Sequence, residues 1–308
     1  MMSDPKHWHI GLIGYGEVGK ILAEDLRQQG IAVSAFDVKL NTGQAQPLRD
    51  HAARHGVLLG VSHGDVAARA DLIVSAVTAS QTVAVASACA TSIQQGAFFL
   101  DFNSASPGAK ISASALIDAA GGRYVEGAVM TSVPPHRICV PLLLGGENAN
   151  AICPLLAELG FHPRVASEKL GVASATKMCR SVMIKGLEAM VIESFTTARA
   201  YGVEDQVLAS LNETFPGMDW EKQGAYFFQR VIQHGRRRAE EVLEAAATVR
   251  EAGLEPWSAS GTAERQAWVA DLADTGLFGD RAGKREDWRV EADRLLGYLR
   301  GGAENGKK

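Results

Sequence analysis

Three glycines near the start of the chain have the spacing of a turn that can hold phosphate groups. The segment Gly14-Tyr15-Gly16-Glu17-Val18-Gly19 follows an apolar run at residues 10–13 and precedes a helical pattern at residues 20–29. In such a turn, the first glycine permits a tight bend and the second lets the backbone approach a pyrophosphate. The third lets the helix pack closely on the strand, and the N–H groups that begin the helix attract the anion. We therefore expect these six residues to bind a dinucleotide.

An acidic residue at the end of the next strand-like run supports this interpretation. The run at residues 31–36 ends in Asp37, about 20 residues after Gly14, where a carboxylate accepts hydrogen bonds from the adenosine ribose. A carboxylate repels a 2′-phosphate, so we expect NAD as the cofactor, with NADP possible because Lys39 is close in sequence. Further cofactor contacts are expected from residues that follow later strands, namely Val77, Thr78 and Asn103.

The order of patterns along the chain predicts the fold class. Short apolar runs alternate with helical patterns up to about residue 166, which is typical of an α/β, doubly wound parallel sheet of the Rossmann type. From residue 167 onward, apolar residues recur at three- and four-residue steps, which predicts helices alone. We expect a Rossmann domain at residues 1–166, an all-helical substrate and dimerisation domain at residues 167–300, and a disordered tail at residues 301–308.

Composition narrows the class of protein. The 308 residues carry a formal net charge of -4, which gives no reason to expect nucleic acid or an anionic membrane as a partner. The four cysteines lack zinc-type spacing and are expected to be buried free thiols in a reducing compartment. The first residues lack a signal-peptide pattern, and no apolar run is long enough to span a bilayer. We expect a cytoplasmic protein.

The histidines predict no metal centre. They show no metal-ligand grouping in the sequence, and no carboxylates cluster with them. The histidines in question are His7, His9, His51, His55, His63 and His162.

Three further segments resemble the β-hydroxyacid dehydrogenase and 6-phosphogluconate dehydrogenase superfamily. Residues 101–107 resemble its D-x-S-T-x-x-P segment, and residues 126–132 occupy the place of its D-A-P-V-S-G-G loop. Residues 171–181 resemble its G-x-G-x-x-x-K-x-x-x-N segment. The resemblance implies a dinucleotide-binding domain followed by a helical domain. It also implies that Lys177 is the acid/base that exchanges a proton with a substrate hydroxyl.

Departures from the family pattern leave the substrate contacts open. The family's Ser-Gly-Gly is replaced at residues 130–132, and its asparagine is replaced by Ser181. Residues 234–241 resemble the H-G-x-R-R-A-x-E pattern of a subgroup with a variant C-terminal domain of unknown function. Arginine suits a carboxylate or phosphate, but Arg237 is equally suited to pair with Glu240 or Glu241, and Arg137 to lie in a surface loop. The expected contacts to a small anionic substrate are Thr131, Ser132, Arg137, Ser181, His234 and Arg237.

These features favour an NAD(P)-dependent dehydrogenase or reductase that acts on a hydroxyl or carbonyl group of a small acid. An imine reductase on the same fold and a catalytically silent nucleotide sensor or structural dimer remain as alternatives. The substrate, the direction of reaction and any accompanying decarboxylation stay open. We also expect a homodimer, because the helical domain is rich in apolar residues beyond what a thin layer can bury. These are Met183, Met190, Phe195, Tyr226, Phe227, Phe228 and Val231.

Overall fold

The computed structural model describes residues 4–279 and 287–305, and within them the apolar runs of the N-terminal half form the strands of one sheet. The inner strands are buried along almost their whole length, as expected for strands covered on both faces. The strands are β1 (His9–Ile13), β2 (Ala32–Phe36), β3 (Leu58–Leu59), β4 (Leu72–Ser75), β5 (Phe98–Asp101), β6 (Arg123–Val129), β7 (Pro141–Gly145) and β8 (His162–Ser167).

The strand order is β3-β2-β1-β4-β5-β6-β7-β8. Neighbours are parallel except for β6 and β7, which are antiparallel. A parallel link requires a long crossover, whereas the segment between β6 and β7 holds only short helical turns. The predicted doubly wound Rossmann architecture is confirmed, with this one reversed pair added. Since β2 and β4 flank β1 on opposite sides, the switch point of the sheet lies at the end of β1.

Helices cover the faces of this sheet. In the first of them, buried Leu22 and Leu26 lie one turn apart and join the core beneath the sheet. The helices are α1 (Glu17–Gln28), α2 (Gln46–His55), α3 (His63–Ala67), α4 (Thr82–Ala90), α5 (Pro107–Ala119), α6 (Val133–His136) and α7 (Ala149–Glu158).

The two edge strands of the sheet are poor pairing surfaces. Strand β3 is two residues long. Strand β8 is never fully buried, and it contains Pro163, which lacks an N–H group.

Beyond β8, every regular element among the described residues is helical. The longer helices pack around Phe195, Phe228 and Trp288. The Trp288 ring lies 4.8 Å from the Phe195 ring and 6.3 Å from the Phe228 ring, measured between centroids. A Cβ on Gly224 would lie 2.8 Å from the Phe195 ring, so this packing requires glycine. The helices are α8 (Val172–Tyr201), α9 (Glu204–Thr214), α10 (Trp220–Glu251), α11 (Trp257–Asp274) and α12 (Trp288–Asn305).

The chain divides into two compact units, Met1–Cys179 and Arg180–Lys308. This division lies within α8, later than the predicted boundary near residue 166, because the first turns of α8 are bonded to the sheet. Residues 301–305 of the predicted disordered tail are helical, since α12 extends to Asn305, and residues 306–308 lie outside the described residues. No described helix combines the length and apolarity needed to cross a membrane.

The cysteines are free, as expected, but they are not uniformly buried. Cys89 is buried, and burial raises the pKa of its thiol to about 12. Cys153 is half-buried, and Cys139 and Cys179 are exposed. The expectation of four buried thiols was therefore wrong, because apolar neighbours in sequence did not ensure an inward position.

Candidate functional site

The parallel strands bring most of the predicted site residues of the first unit to one edge of the sheet. Each of β1, β2, β4, β5 and β6 ends at this edge, because neighbouring strands of this set run in the same direction. We call it the carboxyl edge. The residues that follow these strand ends are Gly14–Gly19, Asp37, Val77, Thr78, Asn103, Thr131 and Ser132.

The glycine turn after β1 has the geometry that its spacing predicts. Gly14 has φ +91°, and a Cβ on it would lie 2.4 Å from the carbonyl oxygen of Ala76 at the end of β4. A Cβ on Gly19 would lie 2.1 Å from the carbonyl oxygen of Gly14. Gly16 is different, because a Cβ there would have no atom within 4 Å. Gly14 and Gly19 are thus required for packing, while Gly16 leaves open space above the turn.

The start of α1 faces this space. Gly16 is its N-cap and provides no side-chain hydrogen bond to the first turn, so the N–H groups there remain available to an anion. The positive end of the helix dipole adds to the attraction. These residues fit the pyrophosphate of a nicotinamide dinucleotide.

Asp37 lies next to the glycine turn. One of its carboxylate oxygens accepts a hydrogen bond from the Tyr15 backbone N–H (2.9 Å), and the other accepts one from the Lys39 backbone N–H (2.9 Å). The carboxylate is therefore held in place at the end of β2, and each oxygen keeps a second lone pair for a ribose hydroxyl.

Asn103 is placed differently from what its predicted role requires. Its side chain is buried, accepts a hydrogen bond from the Val77 N–H (2.8 Å) and donates one to the Ser75 hydroxyl (3.1 Å). Its amide thus ties the end of β5 to the end of β4, which accounts for its presence without a cofactor contact. Thr78 is exposed, and Val77 is half-buried.

A buried carboxylate fixes the loop after β5. Asp101 and Lys110 are 0% and 1% exposed and form an ion pair at 2.9 Å. The other carboxylate oxygen accepts a hydrogen bond from the Tyr124 hydroxyl at 2.7 Å. Burial and the adjacent Asp101 charge raise the pKa of Tyr124 well above its usual range, so this phenol stays a donor. The sequence analysis did not identify this network.

A second buried carboxylate positions the helix that carries Lys177. Glu126, in β6, accepts hydrogen bonds from the backbone N–H groups of Gly171 (2.8 Å) and Ser174. It thereby caps the start of α8, where such donors lack partners within the helix. The half-buried Lys177, in the next turn, donates a hydrogen bond from Nζ to the Ser104 hydroxyl at 2.6 Å.

Ser104 is a residue that the sequence analysis passed over and that the structure places beside Lys177. It lies in the loop after β5, directly after Asn103, and faces the predicted acid/base. Its place in the D-x-S-T-x-x-P segment was the available signal. The structure thus brings together Lys177 and the loop after β5 within the first unit.

Two of the residues predicted to contact the substrate from the first unit are exposed, and the third is bonded to carboxylates of the chain itself. Thr131 and Ser132 are exposed just beyond β6. Arg137 instead donates hydrogen bonds to Asp25 (2.8 Å) and Glu24 (2.7 Å) of α1. Its guanidinium is thus held by an ion-pair network, so the surface-loop alternative fits Arg137 better than a substrate role.

In the second unit, Ser181 joins a buried ion pair. Lys185 donates to Glu241 at 2.9 Å and to the Ser181 hydroxyl at 3.3 Å. Burial lowers the pKa of Lys185, although the Glu241 charge opposes this shift. The pair lies between α8 and α10, and neither Lys185 nor Glu241 was assigned a role from the sequence.

Arg237 takes the second of its two predicted roles. It pairs with Glu241 one helical turn away, and its side chain is 57% exposed. His234 is half-buried, and burial together with the nearby guanidinium of Arg230 lowers its pKa. Neutral His234 remains available as a hydrogen-bonding group, whereas Arg237 is engaged.

Two other residues of the segment 234–241, Gly235 and Arg238, hold α10 against its neighbours. Arg238 forms a buried bidentate pair with Glu188, which also accepts a hydrogen bond from Gln266 at 3.1 Å. A Cβ on Gly235 would lie 2.8 Å from the Gln266 carbonyl oxygen. The glycine lets α10 approach α11, and the arginine joins α10 to α8 through Glu188.

The structure brings together two histidines and a carboxylate that the sequence analysis treated as ungrouped. His51 and His55, one turn apart on α2, lie with Glu24 of α1 in a half-buried group whose ligand atoms are all within 4.8 Å of one another. The sequence signal was the four-residue spacing of the histidines on a helix. The carboxylate could not be found, because it reaches them only through the packing of α1 on α2.

Two family models match the chain, one within each of its two compact units. Residues 9–158 match the NAD binding domain of 6-phosphogluconate dehydrogenase, and residues 198–269 match the Domain of unknown function (DUF1932).

Solved structures and a curated relative extend the comparison. A conserved hypothetical protein from Sinorhizobium meliloti 1021 is 35% identical, with 93% of this chain and 95% of that one covered and a TM-score of 0.74. The conserved protein MTH1747 of unknown function, described as structurally similar to 3-hydroxyacid dehydrogenases, is 28% identical, with 87% and 98% covered and a TM-score of 0.67. The mitochondrial 3-hydroxyisobutyrate dehydrogenase of Drosophila melanogaster is 24% identical over 220 residues, which are 69% of this chain and 65% of that protein.

A more distant structure shares the fold alone. The reductive aminase from Aspergillus terreus is 18% identical, with 95% of this chain and 99% of that one covered and a TM-score of 0.54.

The glycine turn yields a test that separates binding from folding. Gly16→Ala should change the free energy of unfolding by less than about 1 kcal/mol, because the new methyl group meets no protein atom. It should weaken NADH binding about tenfold or more, near 1.4 kcal/mol, because that methyl group occupies the space a pyrophosphate needs. Urea unfolding and a fluorescence titration with NADH measure the two quantities.

Two variants serve as controls. Gly43→Ala, at an exposed position with no atom within 4 Å of the new Cβ, should alter neither quantity. Gly14→Ala should destabilise the fold itself by about 1–3 kcal/mol. Undiminished NADH binding by Gly16→Ala would show that the dinucleotide does not lie on this turn.

Proposed function

We propose that this chain, which belongs to the 3-hydroxyacid dehydrogenase and 6-phosphogluconate dehydrogenase superfamily, oxidises or forms a hydroxyl group on a small acid. Within the superfamily it belongs to the group that joins the NAD-binding domain to a DUF1932 domain. The family supports an oxidoreductase with a nicotinamide cofactor. The acid substrate and the role of Lys177 are our proposal.

The observation that carries the proposal is the Lys177–Ser104 hydrogen bond at the carboxyl edge, 2.6 Å long. Lys177 lies one turn into a capped helix, and Ser104 lies in a loop that a buried ion pair holds rigid. An acid/base must be held within hydrogen-bond reach of the proton that it moves. Lys177 and Ser104 supply such a fixed pair at the carboxyl edge, the edge of the sheet that also carries the glycine turn.

The chemistry assigned to Lys177 is proton transfer at Nζ. During oxidation, the neutral amine accepts the proton of the substrate hydroxyl while the adjacent carbon loses a hydride. A bound nicotinamide supplies the hydride acceptor. In reduction, the Lys177 ammonium returns the proton to the carbonyl oxygen. The Ser104 hydroxyl orients Nζ in both directions.

The acid group of the substrate requires donors, and four residues remain as proposed contacts. Thr131 and Ser132 offer exposed hydroxyls beyond β6. Ser181 accepts a hydrogen bond from Lys185, so its own O–H proton is free to point toward an acceptor. His234, next to Arg230 on α10, offers an imidazole N–H. Arg137 and Arg237 are less suitable, since carboxylates of this chain engage both.

An imine reductase is the second candidate, because the reductive aminase shares the fold. Lys177 favours the hydroxyl substrate, since a lysine at this place matches the dehydrogenase segment. Activity on a panel of imines with none on hydroxy acids would reverse this preference.

Removal of the proposed acid/base should separate turnover from binding. Lys177→Ala should lower kcat by roughly 10²–10⁴-fold while leaving the Kd for NADH nearly unchanged. The assay follows reduced-nicotinamide absorbance against a panel of 3-hydroxy acids, and the control is Lys169→Ala, an exposed lysine of the same unit. Near-normal turnover in Lys177→Ala would refute the assignment.

The charge of Asp37 should set the cofactor preference. We expect NADH to bind more tightly than NADPH, because the fixed carboxylate repels a 2′-phosphate. Fluorescence quenching measures both affinities at moderate salt. Asp37→Asn should narrow the difference, and Lys39→Ala, which removes the nearest compensating cation in sequence, should widen it. Tighter binding of NADPH to the unaltered chain would contradict the prediction.

We also propose a homodimer formed through the second unit, but fewer exposed apolar residues support it than the sequence suggested. Phe195, Phe227, Phe228 and Val231 belong to the core and offer no surface. Three of the expected residues do remain outside: Met183 and Met190 are 65% and 60% exposed, and Tyr226 of α10 is 38% exposed. The two methionines lie seven residues apart on α8 and therefore on one face of it. An apolar helix face of this kind is suited to a second copy of the chain.

Light scattering tests the dimer. The unaltered chain should show a dimer mass at micromolar concentration, and Met183→Glu with Met190→Glu should shift it toward the monomer, because two charges would have to be buried. Val61→Glu, at an exposed position of the first unit, is the control. A monomer mass for the unaltered chain would rule the proposal out.

A further inference from the structure

Two histidines of α2 lie beside a glutamate of α1, and the proposed reaction assigns none of the three a role. His51 and His55 lie one turn apart, and each of the three residues offers a ligand atom within 4.8 Å of the other two. The imidazole rings of the histidines lie 4.5 Å apart between centroids. The side chains of His51 and Glu24 are 12% and 25% exposed, so the group lies in a partly closed position that solvent can still reach.

Neighbouring residues orient two of these groups. His51 Nε2 lies 2.9 Å from Glu24 Oε1, and His51 Nδ1 lies 2.8 Å from the Tyr15 hydroxyl. The other oxygen of Glu24 accepts a hydrogen bond from Arg137 at 2.7 Å. A partner on the far nitrogen of a histidine and on the second oxygen of a carboxylate is the usual support around metal ligands.

We propose that Glu24, His51 and His55 form a binding site for a borderline divalent transition metal such as Zn²⁺. Two imidazole nitrogens and one carboxylate oxygen are a ligand set that this ion accepts, with solvent in a fourth position. The expectation of no metal, drawn from sequence spacing alone, is replaced by this proposal.

The protons balance within the group. Since the Glu24 carboxylate only accepts, His51 donates to it from Nε2–H, and the Nδ1 of a neutral His51 then accepts from the Tyr15 hydroxyl. When Nε2 gives its lone pair to a metal ion, the proton is carried on Nδ1 instead. Nδ1 then donates to the Tyr15 oxygen, so the tautomer changes and no proton is lost.

The surrounding charges select the class of ion. Arg137 pairs with the carboxylates of both Glu24 and Asp25. Arg27 donates instead to the carbonyl oxygens of Ile31 (2.7 Å) and His55 (3.3 Å). Mg²⁺ and Ca²⁺ depend on several anionic or carbonyl oxygens, which this group lacks. The affinity must come from imidazole nitrogen, which favours Zn²⁺, Co²⁺ or Ni²⁺.

The site lies next to the glycine turn through Tyr15. A metal ion would join α1 to α2 and hold the Tyr15 side chain through His51. Binding to the folded chain alone should raise the unfolding temperature. This proposal does not depend on the proposed reaction.

The experiment uses the full chain without a polyhistidine tag, freed of metal with EDTA and dialysed. Isothermal titration with Zn²⁺ should give about one ion per chain, and Co²⁺ should produce the visible absorption bands of a site of low coordination number. His55→Ala and Glu24→Gln should each weaken Zn²⁺ binding about tenfold or more and abolish the rise in unfolding temperature. His162→Ala, which alters an exposed histidine elsewhere, should behave like the unaltered chain.

Circular dichroism establishes that each variant is folded. If either His55→Ala or Glu24→Gln does not fold, the other variant still tests the site. The proposal is overturned if Zn²⁺ does not bind saturably. It is equally overturned if His55→Ala and Glu24→Gln both bind Zn²⁺ as well as the unaltered chain does, or if Mg²⁺ binds as tightly as Zn²⁺.

Discussion

Two carboxylates that cannot reach water determine how the candidate site is built. Asp101 and Glu126 are paired in register on adjacent strands, and both are fully buried. Burial of an unpaired carboxylate is costly, so each must recruit donors from the chain. Asp101 recruits Lys110 and Tyr124 and thereby fixes the loop after β5. Glu126 recruits the first N–H groups of α8. The loop after β5 carries Ser104, and α8 carries Lys177. The bonds made by Asp101 and by Glu126 therefore together set the distance between these two side chains.

The fold was largely predictable because its signals are local. A glycine turn between an apolar run and a helical pattern is specified by a few adjacent residues, and the alternation of strands and helices follows from periodicity. The reversed pair β6 and β7 was not predicted, since its direction depends on what the short link between them can span. The edge residues Asp37, Thr131 and Ser132 were found because each follows a strand that could be identified.

The site was less predictable wherever two distant segments meet. Ser104 draws notice only through its hydrogen bond with Lys177, and the carboxylate beside His51 and His55 comes from another helix. Arg137 and Arg237 show the converse case, because an arginine that suits an anionic substrate suits a carboxylate of its own chain equally well. Sequence gives the chemistry of a guanidinium but not the partner that occupies it.

The second unit also contains buried charged residues that are paired with one another. Lys185 with Glu241, and Arg238 with Glu188, place charges among packed helices. Such pairs contribute little net stability, but removal of one partner is strongly destabilising. This gives a physical reason for the pattern around residues 234–241, in which the glycine and the last arginine are packing residues. A sequence pattern rich in arginine is therefore not by itself an anion site.

The ends of the sheet have a consequence for the behaviour of the chain at high concentration. An open eight-stranded sheet exposes unpaired backbone at both margins, and such margins can template growth from one molecule to the next. Here β3 is too short to guide an incoming strand, and Pro163 in β8 interrupts the row of donors that such a strand would need. Protection against fibrillar aggregation is thus part of the architecture.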